Sequence, residues 1–192
     1  MKTDIILSGV GGQGILSIAA VIGEAALKKG LYMKQAEVHG MSQRGGDVQS
    51  NLRLSDKPVS SDLIPLGQAD LIISLEPMES LRYLPYLKKD GWVVTNSQPL
   101  VNIPHYPDME MIYKELEKLP HKVILDVGAI AKDLGSPRVA NIVILGAATS
   151  FLGLGYDKIA EGIISVFARK SKEVIELNLK ALQAGYDIAN EC

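Results

Sequence analysis

The chain has 192 residues, 47% of them hydrophobic and 22% charged, with 20 basic against 22 acidic side chains and a net charge of −2. That composition describes one globular domain over 1–192, large enough to bury a core. The near balance of charge excludes recognition of nucleic acid or an anionic membrane by overall electrostatics. The lone cysteine, Cys192, excludes an internal disulfide, a Cys-only metal site and an iron–sulfur cluster built from this chain alone. No apolar run reaches the roughly 20 residues that span a bilayer. Met1-Lys2-Thr3-Asp4 enters a strand at once, which leaves no room for a signal peptide, so a cytoplasmic protein is expected.

The first apolar run, Ile5-Ile6-Leu7, ends in Gly9-Val10-Gly11-Gly12-Gln13-Gly14, and Ile15, Ile18, Ala19, Ile22 and Ala26 then repeat at helical spacing up to Gly30. Leu31 to Val38 reads as a second strand, and a strand–helix–strand unit of this length predicts parallel strands. The polar segment His39-Gly40-Met41-Ser42-Gln43-Arg44-Gly45-Gly46 is a loop, and Asp47 to Leu54 alternates as a half-exposed strand. Ala69 to Leu75 is a buried strand. Pro77 starts a helix over Met78 to Lys89 that Pro85 kinks or splits, with Lys88-Lys89-Asp90 as its solvated end.

Gly91 to Ser97 and His121 to Val127 are further strands, separated by a proline-rich excursion with a short helix near Glu110 to Lys118. A short helix over Gly128 to Leu134 follows. Val139 to Gly153, almost wholly apolar, reads as a helix buried on all sides, with Asn141 either capping it or satisfying a buried backbone group. Asp157 caps the next helix, and Ser171 precedes a last one with Ile175, Leu179, Leu182 and Tyr186 on one face. The predicted architecture is a three-layer, mostly parallel, Rossmann-like α/β sheet with a helical C-terminal third.

Gly9 to Gly14 fits G-x-G-x-x-G, a turn that presents backbone N–H groups to an anion at a helix N-terminus. Glu37 lies about 20 residues further on, where a ribose-binding acid is found in dinucleotide sites. A free-standing dinucleotide-binding module is therefore one reading. The same spacing also serves a tight turn with close packing of helix on strand. Against catalytic alternatives, no Gly-Asp-Gly segment followed by asparagine and no Gly-x-Ser-x-Gly elbow is present, and His39, His105 and His121 lack metal-ligand spacing. His105 and His121 read as surface residues and Trp92 as core filling. No catalytic residue and no metal ligand is assigned.

Two polar glycine loops remain. In a parallel sheet both emerge at the carboxyl ends of strands, where ligands bind, and Arg44 beside Gly45-Gly46 offers a planar donor fork to a carboxylate, a phosphate or a partner's carbonyl. The candidate cleft residues are thus Gly11, Gly12, Gln13, Gly14, His39, Ser42, Gln43, Arg44, Gly45 and Gly46.

Gly11-Gly12-Gln13-Gly14 and Ala36-Glu37-Val38-His39-Gly40-Met41-Ser42-Gln43-Arg44-Gly45-Gly46 resemble the gamma-type subunit of 2-oxoacid:ferredoxin oxidoreductases, most of all the corresponding subunit of its indolepyruvate branch. The resemblance continues in Asp126 to Ala131 and Asn141 to Gly146. It implies a subunit of a complex that oxidatively decarboxylates an aryl 2-oxoacid to an acyl-coenzyme A and reduces ferredoxin. A pyruvate or 2-ketoisovalerate enzyme is the alternative within the family. Thiamine diphosphate, Mg and [4Fe-4S] clusters would then belong to a larger partner subunit, with CoA as co-substrate and no cofactor bound by this chain alone.

Overall fold

The computed structural model describes residues 1–39, 45–101 and 103–191, with the side chain of His39 left out. Its sheet has the order β2-β3-β1-β4-β5-β6, formed by β1 (Lys2–Val10), β2 (Tyr32–His39), β3 (Asp47–Ser55), β4 (Ala69–Ser74), β5 (Leu87–Asn96) and β6 (Lys122–Leu125). The pairs β1–β4, β4–β5 and β5–β6 are parallel, while β3 is antiparallel to both β1 and β2. β1 and β2 therefore run the same way, as a strand–helix–strand unit predicts, but β3 has inserted between them. Too few residues separate β2 from β3 for a crossover, so β3 pairs antiparallel with β2 and takes the place beside β1.

α1 (Ile15–Lys28), α4 (Val127–Asp133) and α5 (Ala140–Ala148) join the main core, in which Ile5, Leu7, Leu71 and Ile73 contribute the sheet's face. α6 (Tyr156–Val166) packs on α1 and α7 (Lys172–Glu191) on α5. The sheet's opposite face carries a smaller cluster of Ile6, Ile64, Ala69, Ile72, Tyr83 and Val93 beside α2 (Pro77–Arg82). α3 (Met109–Glu117) packs against α2.

From Asn141 to Ala148 every residue of α5 is buried, as its unbroken apolar sequence predicts. Gly146 and Gly185 let α5 and α7 touch backbone to backbone: a Cβ on Gly146 would lie 2.1 Å from the Leu182 carbonyl oxygen, and one on Gly185 1.9 Å from that of Val143. This contact sets the buried face of α7. It is Asn178, Ala181, Leu182 and Gly185, whereas Ile175, Leu179 and Tyr186 from the predicted stripe flank it half-buried.

Other expectations shift. Pro85 does divide its segment, but α2 ends at Arg82, a 3₁₀ turn covers Leu84–Tyr86, and Leu87 already opens β5. Lys88 to Asp90 are strand residues rather than a helix end, and Lys88 pairs with Asp70 across the sheet. Asp157 lies in the first turn of α6, whose N-cap is Gly155 with a φ of 90°. Trp92 fills the core by stacking on Phe151 with ring centroids 4.1 Å apart. His105 is exposed and His121 half-buried. Among the described residues no helix is long and apolar enough to cross a membrane.

Candidate functional site

The glycine turn leaves β1 at the carboxyl edge of the sheet and is shaped by its own glutamine. Gln13 Oε1 accepts from the Val10 N–H at 2.7 Å, and Gln13 Nε2 donates to the Leu75 carbonyl at 3.1 Å, so one side chain locks the turn and ties it to the end of β4. Gly9 makes this possible, because a Cβ there would come within 2.7 Å of Gln13 Oε1. Gly12 and Gly14 have φ of 103° and 87°, which only glycine adopts without strain.

Asn96, at the end of β5, also donates to Leu75 O at 3.3 Å and to Gln98 O at 2.9 Å, while its Oδ1 accepts from the Val127 N–H at 3.3 Å. Leu75 N in turn donates to Ser8 O at 3.0 Å. The carboxyl ends of β1, β4 and β5 and the start of α4 thus form one hydrogen-bonded rim.

Behind this rim opens a cleft of about 450 Å³, lined by Gly12, Gln13, Gly14, Ser17, Asn96, Val127, Gly128, Arg138 and Asn141 among others, with no carboxylate in its wall. The N-termini of α1 and α5 both face it. α1 has no side-chain cap, whereas α2, α3 and α4 are capped by their own acids Glu76, Asp108 and Asp126; α5 continues a 3₁₀ turn, Pro137–Val139, whose N-cap Ser136 accepts from the Arg138 N–H and whose Pro137 carbonyl accepts from the Ala140 N–H. The glycine turn and the N-terminal ends of α1 and of the turn that leads into α5 give the cleft a wall polarised positively. Arg138 adds a guanidinium with no side-chain partner among the described residues.

Asn141 holds the two halves of the cleft together. It is 9% exposed, and its Nδ2 donates to the Gly14 carbonyl at 3.2 Å. Of the two roles predicted for it, satisfying a backbone group is the one observed; the N-cap of α5 is Val139.

Of the sequence-derived candidates, Gly12, Gln13 and Gly14 line the cleft and Gly11 adjoins it. The Gly11 N–H donates to Gly46 O at 2.9 Å, which brings Gly46 beside the first turn, but neither Gly45 nor Gly46 lines the cleft. His39 is placed by its backbone at the end of β2, while Ser42, Gln43 and Arg44 lie outside the described residues. Glu37 cannot act as a ribose-binding acid for this turn, because β3 separates β2 from β1 and two strand spacings are about 10 Å.

Sequence reasoning passed over Arg138 and Asn96. Arg138 did carry a signal: Ser136-Pro137 opens a helical turn, and a cation in a first turn opposes the helix dipole unless an anion joins it. Asn96 carried none, being one polar residue at a strand end. Among the described residues no three His, Cys, Asp or Glu side chains gather as a metal site.

On the sheet's other face, Glu76 accepts from the Glu79 N–H at 2.9 Å and the Leu100 N–H at 3.4 Å, and Tyr106 donates its hydroxyl to the same carboxylate. Burial raises the Tyr106 phenol above its ordinary range, and the Glu76 hydrogen bond adds to this. These contacts fasten the segment after β5 to α2.

Fold and cleft together define an α/β protein with a cleft at the carboxyl ends of its strands, framed by helix N-termini. The model of the pyruvate ferredoxin/flavodoxin oxidoreductase family matches residues 4–188, and the chain belongs to that family. It is 38% identical over 198 residues to the indolepyruvate oxidoreductase subunit IorB of Archaeoglobus fulgidus, covering 98% of this chain and 96% of that one. The fold is similar to the keto/oxoacid ferredoxin oxidoreductase gamma subunit of Geobacter sulfurreducens, with a TM-score of 0.71, 27% identity and 99% of each chain covered. It is also similar to part of the 2-oxoglutarate:ferredoxin oxidoreductase of Magnetococcus marinus, at a TM-score of 0.77 and 21% identity, covering all of this chain and 31% of that one.

Proposed function

We propose that this chain is the smaller subunit of an arylpyruvate:ferredoxin oxidoreductase and that its cleft receives the phosphate end of coenzyme A. Full-length similarity to an indolepyruvate oxidoreductase subunit supports the aryl 2-oxoacid, and coenzyme A is a bound molecule of the Magnetococcus enzyme. The observation that carries the reading is the cleft itself. The glycine turn, the N-terminus of α1 and the Arg138 guanidinium converge on a space walled without carboxylates, a donor set that fits phosphate.

In this reading thiamine diphosphate, magnesium and the iron–sulfur clusters reside in a larger partner, which supplies the decarboxylation chemistry and the path of electrons to ferredoxin. The residues of this chain bind and orient. Amides of the Gly12–Gly14 turn and of the first turn of α1, with the Arg138 guanidinium, hold phosphate oxygens. Gln13 and Asn141 keep those amides in place, so that the thiol end of coenzyme A is directed to the shared active site. No proton-transfer step is assigned to a residue of this chain.

The test is reconstitution with the larger subunit. The complex should reduce ferredoxin with indolepyruvate in preference to pyruvate and only when coenzyme A is present, whereas the chain alone should be inactive. Ferredoxin reduction by the isolated chain, or an equal preference for pyruvate, refutes the corresponding part of the proposal.

A further inference from the structure

Asn96 ends β5 and is 8% exposed, and both polar atoms of its amide are spent on backbone. Nδ2 donates to Leu75 O at 3.3 Å and to Gln98 O at 2.9 Å, while Oδ1 accepts from the Val127 N–H at 3.3 Å. Both N–H donors are engaged, so the amide offers the cleft only an acceptor oxygen, which an anion does not bind. Whatever Asn96 does for a ligand, it does through the segments it holds.

On one side that segment is the glycine turn. Leu75 O takes a second donor, Gln13 Nε2 at 3.1 Å, so Asn96 and the glutamine that locks the turn are fastened to the same carbonyl oxygen. On the other side Val127 is the first residue of α4, and α4 packs on the 3₁₀ turn Pro137–Val139 that carries Arg138. The Ser136 N–H donates to Ala131 O at 3.0 Å, which ties that turn to the body of α4. Asn141 anchors the far end of the Arg138 turn, where it runs into α5, and Asn96 anchors the near end.

We infer that Asn96 is a positioning residue for the ligand of the cleft: it sets the distance between the amides of the Gly12–Gly14 turn and the Arg138 guanidinium, and so the span of the anion that both can hold at once. The inference rests on the assignment of the cleft to a phosphate group. Truncating Asn96 leaves Leu75 O with one donor and strips the side-chain partner from Gln98 O and from the Val127 N–H in a buried rim. The turn and α4 then settle independently, and the two kinds of donor no longer reach the same phosphate.

A double-mutant cycle in the reconstituted complex tests this, with Arg138→Ala as the reference. Asn96→Ala should raise the KM for coenzyme A about tenfold and lower kcat by a smaller factor, with the KM for indolepyruvate within about twofold of its original value. In the double variant the rise should stay well below the product of the two single rises, because a guanidinium already out of place has little left to lose. A residue that only stabilised the fold would give the product. Asn96→Asp keeps the acceptor for Val127 and loses both donors, and it enters the same cycle with the same expectation, so the test survives if the alanine variant fails to fold. A rise equal to the product, or an unchanged KM for a folded Asn96 variant while Arg138→Ala raises it, overturns the inference and leaves the phosphate site standing. An unchanged KM for Arg138→Ala removes the site itself and the inference with it.

Discussion

Asn141 Nδ2 donates to the carbonyl of Gly14 across 127 positions of sequence, and this one bond fixes the first turn of α5 against the first turn of α1. The two helices frame the cleft, so the width of the proposed phosphate site depends on a side chain that need not touch the phosphate. Asn141→Ala should lower the stability of the chain by about 1 kcal/mol, the net worth of a hydrogen bond. It should also raise the KM for coenzyme A in the assembled complex more than it lowers kcat. Asn141→Asp sets a carboxylate against a carbonyl oxygen and beside the anion, and should be worse on both measures. Chemical denaturation of the chain and steady-state kinetics of the complex check the two effects separately.

Arg138 should behave differently, because it holds nothing together inside the chain. Arg138→Ala removes charge-assisted bonds worth about 1.5–3 kcal/mol, a rise of about 10- to 150-fold in the KM for coenzyme A, with the unfolding midpoint unchanged. Arg138→Lys retains the charge without the fork and should fall between. An unchanged KM for both variants would remove Arg138 from the site.

The contact of α5 with α7 depends on the absence of two methyl groups. A Cβ at Gly185 would sit 1.9 Å from Val143 O, and the backbone oxygen cannot turn away as a flexible side chain could. Gly185→Ala and Gly146→Ala should each destabilise the chain by about 3 kcal/mol or more, beyond the 1–3 kcal/mol typical of overpacking, since helices rather than side chains must move apart. Gly30→Ala is the comparison: its φ of 72° strains an alanine, but nothing lies within 4 Å of its Cβ. It should cost about 1 kcal/mol, which equilibrium unfolding in urea resolves.

Two buried carboxyls give stability opposite dependences on pH. Burial works to raise the pKa of Asp4, but the Arg53 guanidinium, 2.8 Å away, and the Lys2 ammonium outweigh it and hold the carboxyl below its ordinary range. Its contribution is complete above the unfolded value near 3.8 and is lost as the pH falls through the depressed folded value. Burial raises Glu79 above 4.5 despite its pairing with Arg82 at 2.7 Å. A raised carboxyl favours folding below the unfolded value, and that contribution is lost as the pH rises through the folded one. Urea midpoints should therefore fall below about pH 4 from Asp4, while Glu79→Gln should flatten the decline that begins above about pH 4.5. Arg53→Met should abolish the acid-side dependence and destabilise by about 3 kcal/mol, because a buried carboxylate loses its partner.

Much of the architecture was legible in local pattern. The glycines after Leu7, the period of α1 and the unbroken apolar run of α5 each correspond to an element, because each signal acts within one turn or one strand. The ordinal place of β3 was not legible: its alternation marks a strand and nothing in it says that it enters beside β1. Asp157 and Lys88 were misplaced for a related reason, since a capping acid or a solvated helix end is only a local preference. Gly155 opens α6 instead, and the sheet recruits Lys88 opposite Asp70.

For the site, the sequence by itself determined that a glycine turn would present amides at a strand end and that this chain carries no Gly-Asp-Gly cofactor segment or cysteine cluster. Only the tertiary structure decided that Arg138 and Asn141, more than a hundred residues later, would complete that turn. A helix N-terminus attracts an anion over a few ångströms, and which groups fall within that distance is set by how α5 packs between the sheet and α7.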